Sequence, residues 1–242
     1  MSFDPNQPSA EIKSRVKESY DAIADTYNKW TEGHSDLRRQ YLDKFIAQLP
    51  TASAAAGTQE VPQLRILELG CGAGEPATRI LASLPGAQVT ANDISSRQVA
   101  LGRENALKWD LDASSSVRFV EGDMMDRNVV DFPAGSLDGV VGLYSIIHLP
   151  KDEQAEMLAR LAGWLKEGGI LLANFSAGES EGMVLEEWLN QKEGWMFWSG
   201  WGEGTVEKLQ GAGLEVVVRG IEPEGVDVDF LWVLARKVKA SV

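Results

Sequence analysis

A short apolar strand, a run of glycines and a later aspartate constrain this sequence more than any other feature. The apolar residues are 64–69, and Gly70, Gly72 and Gly74 follow at every second position. Glycines let the backbone turn tightly and approach a ligand closely. Asp93 ends the next apolar run, where a carboxylate can accept hydrogen bonds from the two hydroxyls of a ribose. The pattern predicts an α/β unit that binds a nucleoside-containing ligand at its strand ends.

Two classes of nucleoside cofactor fit such a loop. Dinucleotide-binding loops place G-x-G-x-x-G directly after the strand, because the pyrophosphate must reach the helix N-terminus. Counted from Gly70, the sixth position is Glu75, whose carboxylate would repel a phosphate. A register shifted by two residues, from Gly72 to Ala77, still satisfies the alanine variant of that motif. The loop by itself therefore leaves both classes open.

The run from Glu68 to Gly74, with Asp93 after it, resembles the class I S-adenosylmethionine-dependent methyltransferases, whose cofactor has no phosphate. Four further segments resemble this family in the expected order, across about residues 10–236. They are the ribose-site run 92–95, the adenine-site run 117–124, the fourth strand with its active-site loop at 136–148, and the helix, glycine pair and fifth strand at 165–174. The resemblance implies S-adenosylmethionine as the cofactor and S-adenosylhomocysteine as its product.

The resemblance also implies a fold class, α/β with a seven-stranded, mostly parallel Rossmann-like sheet, helices on both faces and an antiparallel last strand. The alternation of apolar strands and helical segments after residue 63 is consistent with a parallel sheet. Residues 1–50 are predicted to be helical, because apolar side chains recur there at helical spacing, and the resemblance implies that they form an N-terminal helical lid over the cofactor. We expect a flexible linker at 51–62 and the methyltransferase domain at 63–242, with an insert at about 178–202.

Cofactor-binding residues follow from the resemblance. Asp93 would bind the ribose, Asp123 would accept a hydrogen bond from the adenine amine, and Met124 would pack on the ring. A tyrosine hydroxyl of the N-terminal helix would meet the cofactor's carboxylate, although an aromatic stripe of this kind is more often buried in a core. The predicted cofactor set is Tyr20, Tyr27, Glu68, Gly70, Cys71, Gly72, Gly74, Asp93, Ile94, Gln98, Asp123, Met124 and Leu143.

His148 is the candidate catalytic residue, because it follows the fourth strand in the loop that faces the methyl group in this fold. It can orient an acceptor or take its proton near neutral pH; the alternative is that it packs on the loop and caps the helix beginning at Lys151. Three tryptophans between glycines at 194–202 can surround an apolar or cationic acceptor, or anchor the insert. The predicted substrate-binding residues are Trp30, Tyr144, His148, Trp195 and Trp198.

Methyl transfer from a sulfonium requires that the acceptor be aligned and water excluded, so a general base is optional. We expect a metal-independent enzyme, since the position after the fourth strand where catechol methyltransferases carry an acidic metal ligand reads Gly-Leu-Tyr-Ser at 142–145. The predicted function is transfer of a methyl group to an oxygen, nitrogen or sulfur atom of a small-molecule acceptor. A nicotinamide-dependent oxidoreductase and a catalytically silent binding subunit are the alternatives.

The amino-acid composition limits the classes of partner that this protein is expected to bind. The formal net charge is −13, which disfavours nucleic acid because its binding generally needs a basic face. No run approaches the roughly 18 apolar residues of a membrane span, so we expect no membrane insertion. The single cysteine, Cys71, excludes an intrachain disulfide and favours a cytoplasmic location. We expect a monomer or a homodimer.

Overall fold

The computed structural model describes residues 7–50, 63–223 and 228–239. The segment predicted to be a linker, 51–62, lies outside the described residues. Two helices come first in the chain, α1 (Ser9–Glu32) and α2 (Ser35–Ile46). The later helices are α3 (Ala77–Ala82), α4 (Ser96–Ala106), α5 (Lys151–Trp164) and α6 (Thr205–Gly211).

The strands belong to a large sheet and a small one. The large sheet contains β1 (Leu64–Leu69), β2 (Ala87–Asp93), β3 (Ser116–Glu121), β4 (Leu137–Gly142), β5 (Leu165–Ser176), β8 (Leu214–Pro223) and β9 (Asp229–Lys237). The small sheet is a hairpin of β6 (Glu179–Leu185) and β7 (Met196–Trp201). We call residues 179–201 the insert hairpin; they account for most of the predicted insert.

The large sheet has the strand order β3-β2-β1-β4-β5-β9-β8. Neighbouring strands from β3 to β5 are parallel, and β9 is antiparallel to both β5 and β8. The predicted seven-stranded, mostly parallel sheet with an antiparallel last strand is confirmed. The strand order reverses between β1 and β4, and ligands of open α/β sheets bind in the crevice at the carboxyl ends of strands beside such a reversal.

Both faces of the sheet are covered. Alternate side chains of β1 point to opposite faces, so Leu67 packs in the cluster with Leu161 of α5, while Ile66 packs in the cluster with Phe45 of α2. Gly139 of β4 allows α2 to approach closely, because a Cβ at that position would lie 2.6 Å from the Phe45 ring. The helices on both faces, predicted from the sequence, are thus present.

Helix α1 is attached to the rest of the protein through polar contacts as well as through a small apolar cluster and aromatic contacts. The Asp21 carboxylate accepts hydrogen bonds from the Ser95 hydroxyl at 2.6 Å and the Arg97 backbone N–H at 3.0 Å, at the N-terminus of α4. An anion is stabilised there by the unpaired N–H groups and by the helix dipole. Two turns further toward the N-terminus, Lys13 pairs with Asp123. These contacts hold α1 beside the carboxyl ends of β2 and β3.

We predict that Asp21→Ala lowers the free energy of unfolding by about 1 kcal/mol, because α4 loses an anionic partner at its N-terminus. Urea denaturation followed by circular dichroism measures this change. Asp25→Ala is the matched control: Asp25 lies one turn further along α1 and makes an exposed ion pair with Arg97 at 3.3 Å, whose loss should cost at most about 0.5 kcal/mol. Equal effects of the two substitutions would show that Asp21 does not anchor α1.

Candidate active site

The three glycines after β1 adopt left-handed backbone conformations, with φ of +67°, +53° and +83° at Gly70, Gly72 and Gly74. They serve different purposes. A Cβ at Gly70 would lie 2.4 Å from the Ser145 Cβ, and one at Gly74 would lie 2.8 Å from the Trp109 ring. At Gly72 the nearest atom would be 3.9 Å away. Gly70 and Gly74 therefore permit close packing, and Gly72 is the glycine whose open side faces the cleft.

Asp93 connects this loop to the N-terminus of α4. One carboxylate oxygen accepts a hydrogen bond from the Gly72 backbone N–H and the other from the Ser95 backbone N–H, both at 2.8 Å. Burial raises the pKa of Asp93 to about 6, so the group is ionised at neutral pH. A carboxylate has about four acceptor positions, so Asp93 keeps acceptor capacity for a ligand.

Gln98 and Ser145 border the same cleft with unpartnered polar atoms. Their side chains are buried, and within the described parts of the chain neither the Gln98 amide nor the Ser145 hydroxyl has a hydrogen-bond partner. A buried polar group without a partner costs about 1–3 kcal/mol. These atoms indicate where polar groups of a ligand bind. Sequence reasoning predicted Gln98 but missed Ser145.

The far side of the cleft carries Asp123 and Met124, as predicted, with Ile94 and Leu143 as further apolar walls. The Asp123 carboxylate already pairs with the Lys13 ammonium of α1 at 2.6 Å. Lys13, Val16, Tyr20 and Tyr27 of α1 line the cleft opposite the glycine loop, and its open volume is about 60 Å³. Helix α1 thus narrows the cleft.

Glu68 and Cys71 lie outside this cleft. They border a smaller cavity under the glycine loop, and Glu68 accepts a hydrogen bond from the Thr78 hydroxyl at 2.6 Å. Burial raises the pKa of Glu68 to about 8, so its carboxyl group is mostly protonated at neutral pH. Burial also raises the pKa of the Cys71 thiol well above its ordinary value, and the thiol remains protonated.

Arg38 of α2 lies between this smaller cavity and a larger one, and sequence reasoning missed it. Its guanidinium is buried, donates a hydrogen bond to the His34 carbonyl at 2.9 Å and lies 4.5 Å from the centre of the Tyr144 ring. No carboxylate among the described residues lies within ion-pair distance of it. A buried cation without an anion is costly, so Arg38 is placed to bind an anionic ligand group.

His148 occupies a short 3-10 turn, Ile146–His148, that follows β4. Its Nδ1–H donates to the Phe197 carbonyl of β7 at 2.7 Å, which leaves Nε2 as an acceptor for the Tyr20 hydroxyl at 3.1 Å. Burial lowers the pKa of His148 to about 4 and raises that of Tyr20 well above its usual value. The imidazole is therefore neutral at pH 7. The alternative that His148 caps α5 is wrong, since no side chain caps that helix.

The larger cavity, of about 500 Å³, joins the cleft at four side chains that line both, Tyr20, Tyr27, Tyr144 and His148. We call it the acceptor cavity. Its wall is rich in aromatic rings, and the further ring-bearing side chains are Trp30, His34, Trp188, Trp198 and Phe230. The predicted residues Trp30, Tyr144, His148 and Trp198 are thus brought together.

Trp195 is a correction to the prediction. It does not line the acceptor cavity; it is buried against Ile12 and Val16 of α1 in a cluster with Phe197. Its backbone N–H donates to the Ser19 hydroxyl at 2.8 Å. Trp195 therefore anchors the insert hairpin to α1, which was the second of the two roles considered for these tryptophans. Sequence reasoning missed Trp188, which takes a place on the cavity wall.

Tyr144 has a strained backbone at the junction of the cavities. Its φ is +55°, unusual for a residue with a side chain, and its N–H donates to the Asn174 side-chain oxygen at 2.6 Å. Strain of this kind persists where the surrounding structure enforces it, often at functional sites. Here it directs the ring between the glycine loop and the acceptor cavity.

Comparison with known proteins identifies the family. Residues 66–169 match a family model described as a methyltransferase domain. The chain is 32% identical over 176 residues to 27-O-demethylrifamycin SV methyltransferase of Amycolatopsis mediterranei, which covers 68% of this chain and 61% of that protein. It is 29% identical over 160 residues to a sterol 24-C-methyltransferase of Gibberella zeae, covering 65% of this chain and 40% of that protein. The chain thus spans about three fifths of the length of the first curated relative and two fifths of the length of the second.

The fold is similar to that of a solved structure, Burkholderia thailandensis 1,6-didemethyltoxoflavin-N1-methyltransferase with bound 1,6-didemethyltoxoflavin and S-adenosylhomocysteine. The TM-score is 0.70 at 19% identity, over 98% of this chain and 94% of that one. The chain belongs to the class I S-adenosylmethionine-dependent methyltransferases. Membership of this family decides between the two cofactor classes that the glycine loop left open, because the cofactor of the family is S-adenosylmethionine.

The described part of the chain lacks two features, a metal-binding cluster and a membrane-spanning helix. In residues 7–50, 63–223 and 228–239, no group of three or more His, Cys, Asp or Glu side chains could hold a metal ion. Among the helices of the same ranges, none is long and apolar enough to cross a membrane.

We predict that Glu68→Gln changes the pH dependence of stability. The pKa of Glu68 is about 8 in the folded protein and about 4.3 in an unfolded chain. Between these values the folded state alone retains the proton, so the free energy of unfolding of the wild type falls as pH rises. Glutamine has no such proton. The variant should gain on the order of a few kcal/mol relative to wild type between pH 5 and 9, measured by urea denaturation.

Glu104→Gln is the control for this measurement. Glu104 is an exposed carboxyl on α4, and its replacement should leave the pH dependence of the wild type unchanged. A Glu68→Gln profile parallel to that of the wild type would show that the Glu68 carboxyl titrates normally.

Proposed function

We propose that the protein transfers a methyl group from S-adenosylmethionine to a small-molecule acceptor without a metal ion. The observation that carries the proposal is the joining of two cavities at one point. A cleft with the family's glycine loop and Asp93 meets a large aromatic cavity at Tyr144 and His148. A cofactor in the first and an acceptor in the second would meet at this junction.

The residues of the cleft fit the cofactor. Gly72 has open space on its exposed side, Asp93 keeps free acceptor positions, and Gln98 has an unpartnered amide. Asp93 would bind the ribose hydroxyls, with the Gln98 amide supplying a further polar contact. Asp123 and Met124 would bind the adenine through its amine and its ring face.

Arg38 would bind the carboxylate at the amino acid end of the cofactor. It borders the small cavity beside Gly70 and Gly72, and a guanidinium forms strong, charge-assisted hydrogen bonds with a carboxylate. Tyr27 borders the same cavity. Glu68 and Cys71 would act indirectly, by supporting the loop from below.

Helix α1 would act as the lid over the cofactor. Ligand sites for small molecules have volumes of about 300–1,000 Å³, whereas the cleft keeps about 60 Å³ with α1 in place. Cofactor entry would therefore require α1 to move outward and the Lys13–Asp123 ion pair to break. A partial return of α1 over the bound cofactor would exclude water from the junction.

S-adenosylmethionine held in the cleft would supply an electrophilic methyl carbon: the acceptor's lone pair would form the new bond, and the electron pair of the broken carbon–sulfur bond would stay on sulfur. The proton of the acceptor would then pass to His148 Nε2 or to solvent. The protein contributes alignment and a water-poor surrounding. The neutral imidazole of His148 presents Nε2 as a hydrogen-bond acceptor at the junction. With a pKa of about 4, His148 is a weak base, and it would orient the acceptor's proton rather than ionise the acceptor.

A small-molecule acceptor is also supported by the relatives. One is named for a demethylrifamycin and the solved structure for a didemethyltoxoflavin. The net charge of −13 disfavours a nucleic acid acceptor. The aromatic wall of the acceptor cavity suits an organic molecule of moderate size better than an exposed polymer.

We predict that Asp93→Asn weakens binding of S-adenosylhomocysteine by about 1–3 kcal/mol, through lost charge-assisted hydrogen bonds. In the wild type the affinity should also fall as pH drops below about 6, because protonated Asp93 loses acceptor capacity. The variant should lack this dependence. Isothermal titration calorimetry between pH 5 and 8 measures both effects. Asp110→Asn, at an exposed site, should behave as the wild type; an unchanged affinity in Asp93→Asn would refute the assignment.

We predict that the protein transfers a labelled methyl group to a small molecule when it is incubated with methyl-labelled S-adenosylmethionine and an extract of the cells that naturally produce the protein. Mass spectrometry should find a product heavier by one labelled methyl group, and Asp93→Asn should reduce its amount at limiting cofactor. Label found in nucleic acid instead of small molecules would contradict the proposed acceptor class. Cofactor binding without label in any acceptor would favour a catalytically silent binding subunit.

A further inference from the structure

We propose that the acceptor is a flat aromatic molecule bearing a hydroxyl group, and that Trp188 selects it by stacking. The inference rests on the proposed function and narrows its substrate class. Trp188 belongs to the insert hairpin, in a short 3-10 turn between β6 and β7.

Trp188 contacts four other aromatic side chains in the wall of the acceptor cavity. Its ring centre lies 5.9 Å from that of Tyr20, 5.6 Å from Tyr27, 5.9 Å from Trp30 and 6.1 Å from Trp198. The first three belong to α1 and the last to β7. Trp188 thus joins the lid side of the acceptor cavity to the insert side.

The backbone around Trp188 is strained in a way that holds its side chain in place. Glu187, Leu189 and Asn190 have φ of +50°, +55° and +56°, in the left-handed region that residues with side chains avoid. The Trp188 N–H donates to the Gly194 carbonyl at 2.8 Å and closes the loop. Left-handed residues of this kind cost about 1 kcal/mol or more each. A loop that adopts unfavourable backbone conformations and directs one indole into a cavity is typical of a ligand-binding element.

The charges on the cavity wall decide between an apolar and a cationic acceptor. Indole faces attract cations, but among the described residues of this wall Arg38 is the buried charged side chain, no buried carboxylate accompanies it, and His148 is neutral. Asp229, also on the wall, is exposed to solvent. The carboxylate that Arg38 would bind belongs to the cofactor, so a cationic acceptor would leave water without a buried anionic partner on the described part of this wall, which is costly. An uncharged aromatic ring meets no such penalty and stacks on Trp188.

The hydrogen bonding of His148 indicates that the acceptor molecule carries a hydroxyl group. Its Nε2 is an acceptor only, because Nδ1 carries the proton that binds the Phe197 carbonyl. The Tyr20 hydroxyl donates to Nε2 now, and an acceptor hydroxyl would make the same contact when it displaces Tyr20. The cavity of about 500 Å³ accommodates a fused-ring molecule.

The test compares three probes by isothermal titration calorimetry, with and without S-adenosylhomocysteine. 2-Naphthol is flat and has a hydroxyl, decahydro-2-naphthol has the same carbon skeleton without aromatic rings, and 2-methoxynaphthalene lacks the donor. We expect 2-naphthol to bind about tenfold more tightly than the saturated alcohol, as aromatic stacking implies. We expect the methoxy probe to bind more weakly than 2-naphthol, because it cannot donate to His148.

Variants assign the preference to Trp188. Trp188→Ala should abolish the preference for the flat ring, Trp188→Phe should retain most of it, and Lys192→Ala, at an exposed position of the same loop, should leave it unchanged. Far-ultraviolet circular dichroism and the melting temperature confirm that each variant is folded.

Equal binding of flat and saturated probes, a preference that survives Trp188→Ala, or no binding of any probe would overturn the inference. Failure of the proposed function has a different signature. The proposed function fails if the wild type does not bind S-adenosylmethionine, regardless of how the three probes bind. The present inference fails alone if the wild type binds the cofactor but does not prefer the aromatic probe to the saturated one.

Discussion

The site depends on one buried carboxylate, that of Asp93. It accepts hydrogen bonds from the backbone N–H groups of Gly72 and Ser95, and so holds the loop after β1 and the turn before α4 in a fixed relation. The first contact presents the open side of Gly72 to the cleft, and the second orients the end of α4 on which Asp21 anchors α1. Burial of this charge is unfavourable, and its two backbone donors offset part of the cost.

Helix α1, the proposed lid, is held differently from the two helices that cover the sheet. Helices α2 and α5 contribute large apolar side chains to the two buried clusters on either side of β1. Helix α1 adds a small cluster around Ile12 and Val16, aromatic contacts with Trp188, and ion pairs and hydrogen bonds through Lys13 and Asp21. Its apolar cluster is smaller than the clusters that hold α2 and α5, so we expect α1 to separate from the fold at lower cost than these two helices. A cofactor lid requires this property.

The fold and the cofactor side were predictable because their signals are local in the sequence. The spacing of the glycines and the position of Asp93 at the end of β2 each reflect a single turn of the chain. The acceptor side depends on distant pairs. Only the folded chain shows that Phe197 binds His148, that the strained loop after β6 directs Trp188 inward, and that Trp195 faces α1 instead of the cavity. Arg38 did leave a signal, a charged residue on the buried helical face with Tyr41 and Phe45.

The bond between His148 and β7 has an evolutionary consequence. The hairpin contributes a main-chain carbonyl at Phe197, and every amino acid carries that group. Side chains of the hairpin can therefore be exchanged during divergence while the imidazole keeps the same tautomer. Descendants of one ancestral protein can in this way acquire new acceptors through substitutions in the insert hairpin. The residues that would bind the nucleoside of the cofactor need not change.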